Sequence, residues 1–137
     1  MADLVIVSAN VGMTTTAPST KTVTYGETVT EGQAVYLKAA DGLYWLTVVT
    51  AAESAQIAGI AMTPGAAGEK GTIATKGDFE CGAATTLGEI YVLGGAAGAI
   101  APVADLASLD YVTIVGFGQA ATNVMLLDFT ITGMLKP

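Results

Sequence analysis

From Thr22 onward the chain alternates short apolar and polar runs, broken at close intervals by glycine, which is the spacing of an all-β sandwich or barrel. Helical periodicity is weak throughout. Gln33 to Ala39 and Leu43 to Val49 flank Asp41-Gly42, a dipeptide whose preference for positive φ predicts a type I′ hairpin turn. Further strands are predicted at Ile57 to Met62, Thr72 to Cys81, Ile90 to Leu93, Ile100 to Val103, Tyr111 to Gly118 and Val124 to Thr132, with a single helical turn at Asp105 to Leu109. Leu43 to Val49 is apolar on both faces, so some outer faces of the sheet should be covered, by the chain itself or by neighbouring subunits.

The pattern repeats. TEGQAVYL at Thr30 to Leu37 returns 56 positions later as TLGEIYVL at Thr86 to Leu93, and Ile57-Ala58-Gly59-Ile60 returns 57 positions later as Ile114-Val115-Gly116-Phe117. Duplication constrains packing and leaves little room for one asymmetric catalytic site. The chain therefore reads as a small β-barrel or sandwich of two related strand units over residues 23–137, preceded by an extended arm over residues 1–22. The arm consists of the apolar run Leu4, Val5, Ile6 and Val7 and a Thr-rich tether. Two readings of it stand side by side: an ordinary first strand, or a strand donated to the sheet edge of another protein, which needs only an extended segment with alternate side chains.

At 137 residues, 52% of them hydrophobic and 12% charged, the chain suits one domain with a real core. It has no histidine and no arginine, and a net charge of −7. Its five lysines are scattered, which disfavours a nucleic-acid partner. No run approaches the length of a membrane helix, and Leu4 to Val7 lacks the basic flank of a signal peptide, so folding is expected in a reducing cytoplasm. The single cysteine, Cys81, reads as a buried small hydrophobe.

Without histidine or arginine, a triad, a phosphoryl clamp and a zinc site lack their usual parts, and no cofactor or metal site is expected. Asp78 and Glu80, two apart on one strand face, could in principle serve a carboxylate hydrolase, but a solvated strand face explains them as well. No Asp-rich loop has calcium spacing, and Gly94 to Gly98 reads as a hairpin tip. Trp45 is either a core residue opposite Tyr36 or an interface anchor, with a sugar platform behind both.

The segments GETVTEGQAVYL, AQIAGIAM, TLGEIYVL and GGAAGAIAPVADLASLDYVTIVGFG, with the closing apolar strand, together resemble the capsid cement or decoration proteins of tailed bacteriophages over about residues 24–127. The resemblance implies a non-enzymatic virion structural protein on the outer capsid surface. It would bind the major capsid protein as a homotrimer, with Leu4, Val5, Ile6 and Val7 of the arm contacting the shell. Trp45, Leu126, Phe129 and Ile131 are the expected subunit-interface residues. The alternative within the virion is a head fibre or glycan-binding attachment protein using Trp45.

Overall fold

The computed structural model describes residues 4–7, 11–13, 19–82, 85–107, 109–119 and 124–136; the rest of the span read as an arm and tether lies outside the described residues. Ten strands are described: β1 (Val11–Met13), β2 (Ser19–Thr24), β3 (Ala34–Leu37), β4 (Tyr44–Leu46), β5 (Ile57–Ala61), β6 (Lys70–Cys81), β7 (Ile90–Leu93), β8 (Ile100–Pro102), β9 (Tyr111–Gly118) and β10 (Val124–Leu135). They form a single curled antiparallel sheet, a half-barrel, in the order β4-β3-β5-β6-β10-β9-β7-β8, with β1 and β2 also paired to β6. β7 and β9 begin and end where the pattern predicts. The predicted helical turn at Asp105 to Leu109 is instead a 3-10 turn at Val103–Asp105.

The echo in the sequence is a duplication in space. One unit runs β2-β6-β5-β3-β4 and the other β6-β10-β9-β7-β8, the same permutation twice, with β6 closing the first and opening the second. The β3–β4 register, Val35↔Leu46 and Tyr36↔Trp45, recurs 56 positions on as Tyr91↔Pro102 and Val92↔Ala101. A bulge falls at the equivalent place in each unit, between Val35 and Tyr36 and between Tyr91 and Val92. The echoed Gly32 and Gly88 both have positive φ, 87° and 79°. Each donates its N–H to an equivalent carbonyl, Ala61 in one unit and Gly118 in the other.

Packing follows the repeat. Val23, Tyr25, Val35 and Tyr44 are buried in the first unit, and their counterparts Phe79, Cys81, Tyr91 and Ile100 are buried in the second. Each fully buried large side chain contributes about 1.5–3 kcal/mol. Strands β3, β5 and β6 are buried on both faces: Val35, Ala61 and Ile73 join Tyr25 and Val29 in a smaller core, while their neighbours Ala34, Ile60 and Ala74 face the larger core shared with the second unit. Those three strands are thus covered by the chain itself, whereas in the doubly apolar run Leu43 to Val49 only Tyr44, Thr47 and Val49 are buried, Leu43, Trp45 and Leu46 are half-buried and Val48 is exposed.

The hairpin at Asp41-Gly42 differs from its predicted form. Type I′ needs positive φ at both central residues, and only Gly42 has it, at 72°. The turn is wider: Gly42 N–H donates to the Lys38 carbonyl, and an Asp41 carboxylate oxygen accepts from Leu43 N–H at 2.9 Å. That side-chain bond stabilises a turn without the second left-handed residue.

Candidate interaction surface

The N-terminal run lies on the body. Leu4 donates its N–H to the Ile100 carbonyl at 2.8 Å and Val7 donates to Gly82 at 2.8 Å, so the segment is tied at both ends to the second unit. Alternation then divides the four residues predicted to contact the capsid. Leu4 and Ile6 turn inward: Leu4 packs against the larger core, and Ile6 sits beside Gly32 and Gly82, where added Cβ atoms would lie 2.6 and 3.0 Å from its Cγ2. Val5, 85% exposed, and Val7 face solvent. The inward pair borders a cavity of about 300 Å³ with Thr30, Glu31 and the 96–99 turn.

A second apolar surface follows β10. Up to Leu127 this strand pairs with both β6 and β9; beyond it, the pairings of β10 are to β9 alone. Leu126 and Ile131 are exposed and Phe129 is half-buried. These three therefore share one strand, and a groove of about 460 Å³ opens where β10 leaves β6, lined by Lys76, Gly77, Leu126, Asp128 and Phe129 among others. Trp45, the fourth predicted interface residue, does not join them, because β4 stands four places from β10 in the strand order. It pairs with Tyr36 as expected, is half-buried, and packs on Gly26. Its Nε1 donates to Asp41 at 3.1 Å, and the Lys38 ammonium lies 4.4 Å from its ring centroid, covering a face that a sugar would need.

Sequence reasoning missed three exposed apolar side chains here: Met134 (68%) and Leu135 (46%) at the end of β10, and Leu109 (70%) beside it. Leu109 has φ of 67°, the one positive value outside glycine among the described residues, and its N–H donates to the Lys136 carbonyl at 2.6 Å. A left-handed leucine costs about 1–3 kcal/mol, which its surroundings, including this bond to the C-terminal segment, have to meet. The uncharged stretch Phe129 to Leu135 was the available signal for the first two; Leu109 had none.

The acidic candidates lie on a framework strand, and other carboxylates hold turns and loops. Asp78 is half-buried and Glu80 exposed on β6, opposite Leu126 and Val124 of β10. Glu27 accepts from Leu46 N–H at 3.0 Å, Glu53 from Ala39 N–H at 3.3 Å, and Asp41 from the turn. Burial, together with Glu53, Glu27 and Asp41, raises the pKa of the Tyr36 phenol above its usual 10.0. Among the described residues no three His, Cys, Asp or Glu side chains gather as a metal site, and no helix is long and apolar enough to cross a membrane.

Comparison of the chain with protein-family models, with curated proteins and with solved structures finds no match.

Proposed function

We propose that this protein is a virion structural component that binds the outer surface of an assembled phage capsid and stabilises it, with the major capsid protein as partner. The observation that carries this reading is the arm, anchored by two backbone hydrogen bonds and by Leu4 and Ile6 while presenting Val5 and Val7 outward. A docked apolar pair costs less ordering entropy on binding than a free tether would. A protein that binds the intact lattice and not its dispersed subunits stabilises the lattice by mass action, and no catalysis is needed. In this reading the protein is made in the bacterial cytoplasm and ends on the capsid exterior, where its net charge of −7 discourages aggregation of particles.

The test is co-sedimentation with shells assembled from the cognate major capsid protein. Replacing both Val5 and Val7 with Asp, at positions that face solvent, leaves the body folded and is expected to abolish binding. Undiminished binding by that variant would remove the arm from the mechanism, and failure of the unaltered protein to sediment with expanded shells would remove the capsid reading.

A further inference from the structure

We infer that the second half of β10 is a self-association edge, at which two copies of this chain pair antiparallel about a twofold axis near Thr132. The duplication carries the first step. β2 pairs with β6 through Val23↔Gly71, and β6 pairs with β10 through Phe79↔Met125, so 54 positions separate equivalent residues of β6 and β10. Beyond Leu127 the β10–β9 ladder shifts register twice, so the equivalence holds for the stretch and not residue by residue: in β6 that stretch ends at the completely buried Cys81, and in β10 at Leu135, which is 46% exposed. At the equivalent stretch of β6, residues 77–80 carry a neighbouring strand, β10 itself, and residues 79–81 carry β1 on the other edge. The matching stretch of β10 has β9 on one edge, and among the described residues no strand on the other.

The edge is also undefended. Proteins commonly protect open edges with a charged residue, lysine above all, yet FTITGML at Phe129 to Leu135 carries no charge. Leu109 and Met134, both largely exposed, extend the apolar surface around it.

Charge complementarity selects a second copy as the occupant. The uncharged stretch is closed by Asp128 on one side and Lys136 on the other. Antiparallel pairing about Thr132 sets Asp128 of each copy opposite Lys136 of the second copy, whose ammonium gives one of its three donors to the Leu106 carbonyl of its own chain and keeps two for the carboxylate, and sets Phe129 opposite Leu135 and Ile131 opposite Gly133. Opposite charges and aromatic–aliphatic neighbours are favourable cross-strand pairs. Gly133 has φ of 66°, and a Cβ built there meets nothing within 4 Å, so the centre of the contact has room for Ile131. A parallel pairing would stack like charges instead.

This contact does not depend on the capsid reading. It is twofold, unlike the threefold association that the family resemblance implies, and the mass of the purified protein decides between them. Sedimentation equilibrium is expected to give a dimer. Asp128→Lys, which sets two ammonium groups together at both ends of the contact, is expected to weaken it about tenfold. Adding Lys136→Asp to Asp128→Lys restores the pairs and should restore the dimer. Thr132→Cys should form a disulfide-linked dimer on mild oxidation, since Cys81 is buried. A monomer at all concentrations, a trimer, or a dimer whose affinity ignores both charge reversals would overturn the inference.

Discussion

Replacing Gly32 and Gly88 by alanine separates the cost of a left-handed backbone from the cost of displacing the arm. The two glycines are equivalent and have φ of 87° and 79°, where an L-residue costs about 1–2 kcal/mol. A Cβ on Gly88 meets nothing within 4 Å, whereas one on Gly32 would lie 2.6 Å from Ile6 Cγ2 and 3.2 Å from Val11 Cγ2. Gly88→Ala should therefore lower the unfolding free energy by about 1 kcal/mol, the conformational cost alone. Gly32→Ala must also push Ile6 from its seat. A half-buried isoleucine contributes about 1–1.5 kcal/mol, which brings the total to about 2–3 kcal/mol. In an Ile6→Ala background the surplus has nothing to displace, so the double-mutant cycle should return a coupling of about 1 kcal/mol. Urea unfolding followed by circular dichroism measures each step, as a shift in midpoint at constant slope. Equal costs at the two glycines, or no coupling to Ile6, would refute the docking of the arm against the first unit.

Three further outcomes are expected. Thr113 is buried and its hydroxyl donates to the Ala55 carbonyl across the two units; Thr113→Val should cost about 1–2 kcal/mol in thermal or urea unfolding by leaving that carbonyl without its partner. The Tyr25 phenol donates to the Thr63 carbonyl at 2.8 Å, and burial raises its pKa above 10.0, as it does for Tyr36. A phenol with a raised folded pKa contributes stability that is complete below pH 10 and is lost as the pH climbs beyond it, so Tyr25→Phe should flatten the alkaline limb of a stability–pH curve. Gly26→Ala would drive a Cβ into the Trp45 indole, and should shift tryptophan emission toward that of an exposed ring while the far-ultraviolet spectrum holds.

Much of this fold is legible in the chain because the duplicated positions carry turn chemistry. Gly32 and Gly88 are identical since both units need a left-handed residue before the same strand, while the residues next to them differ, Glu31 against Leu87 and Gln33 against Glu89. The second half of the duplication is invisible. KGTIATKGDFEC of β6 and VMLLDFTITGML of β10 are equivalent strands with no shared motif, because a pleated surface constrains which face is apolar and not which residues make it so. The arm shows the same limit. Leu4 to Val7 reads as an apolar run, but the seat of Ile6 is formed by missing side chains at Gly32 and Gly82, far apart in sequence. Trp45 and the β10 residues stand four places apart in the sheet, a separation the sequence does not show, since an apolar residue carries no label for the surface it shares.

β6 belongs to both units, and this governs how the protein answers to force. Its twelve residues span about 40 Å, and along that length its backbone bonds hold β1 and β2 as well as β5 and β10. A load applied at one unit reaches the other along a continuous covalent strand and through ladders loaded in shear, in which several hydrogen bonds must yield together. β6 passes from one unit to the other at Gly77, whose φ is 101°, without a break in the strand, so the two units are loaded as one body.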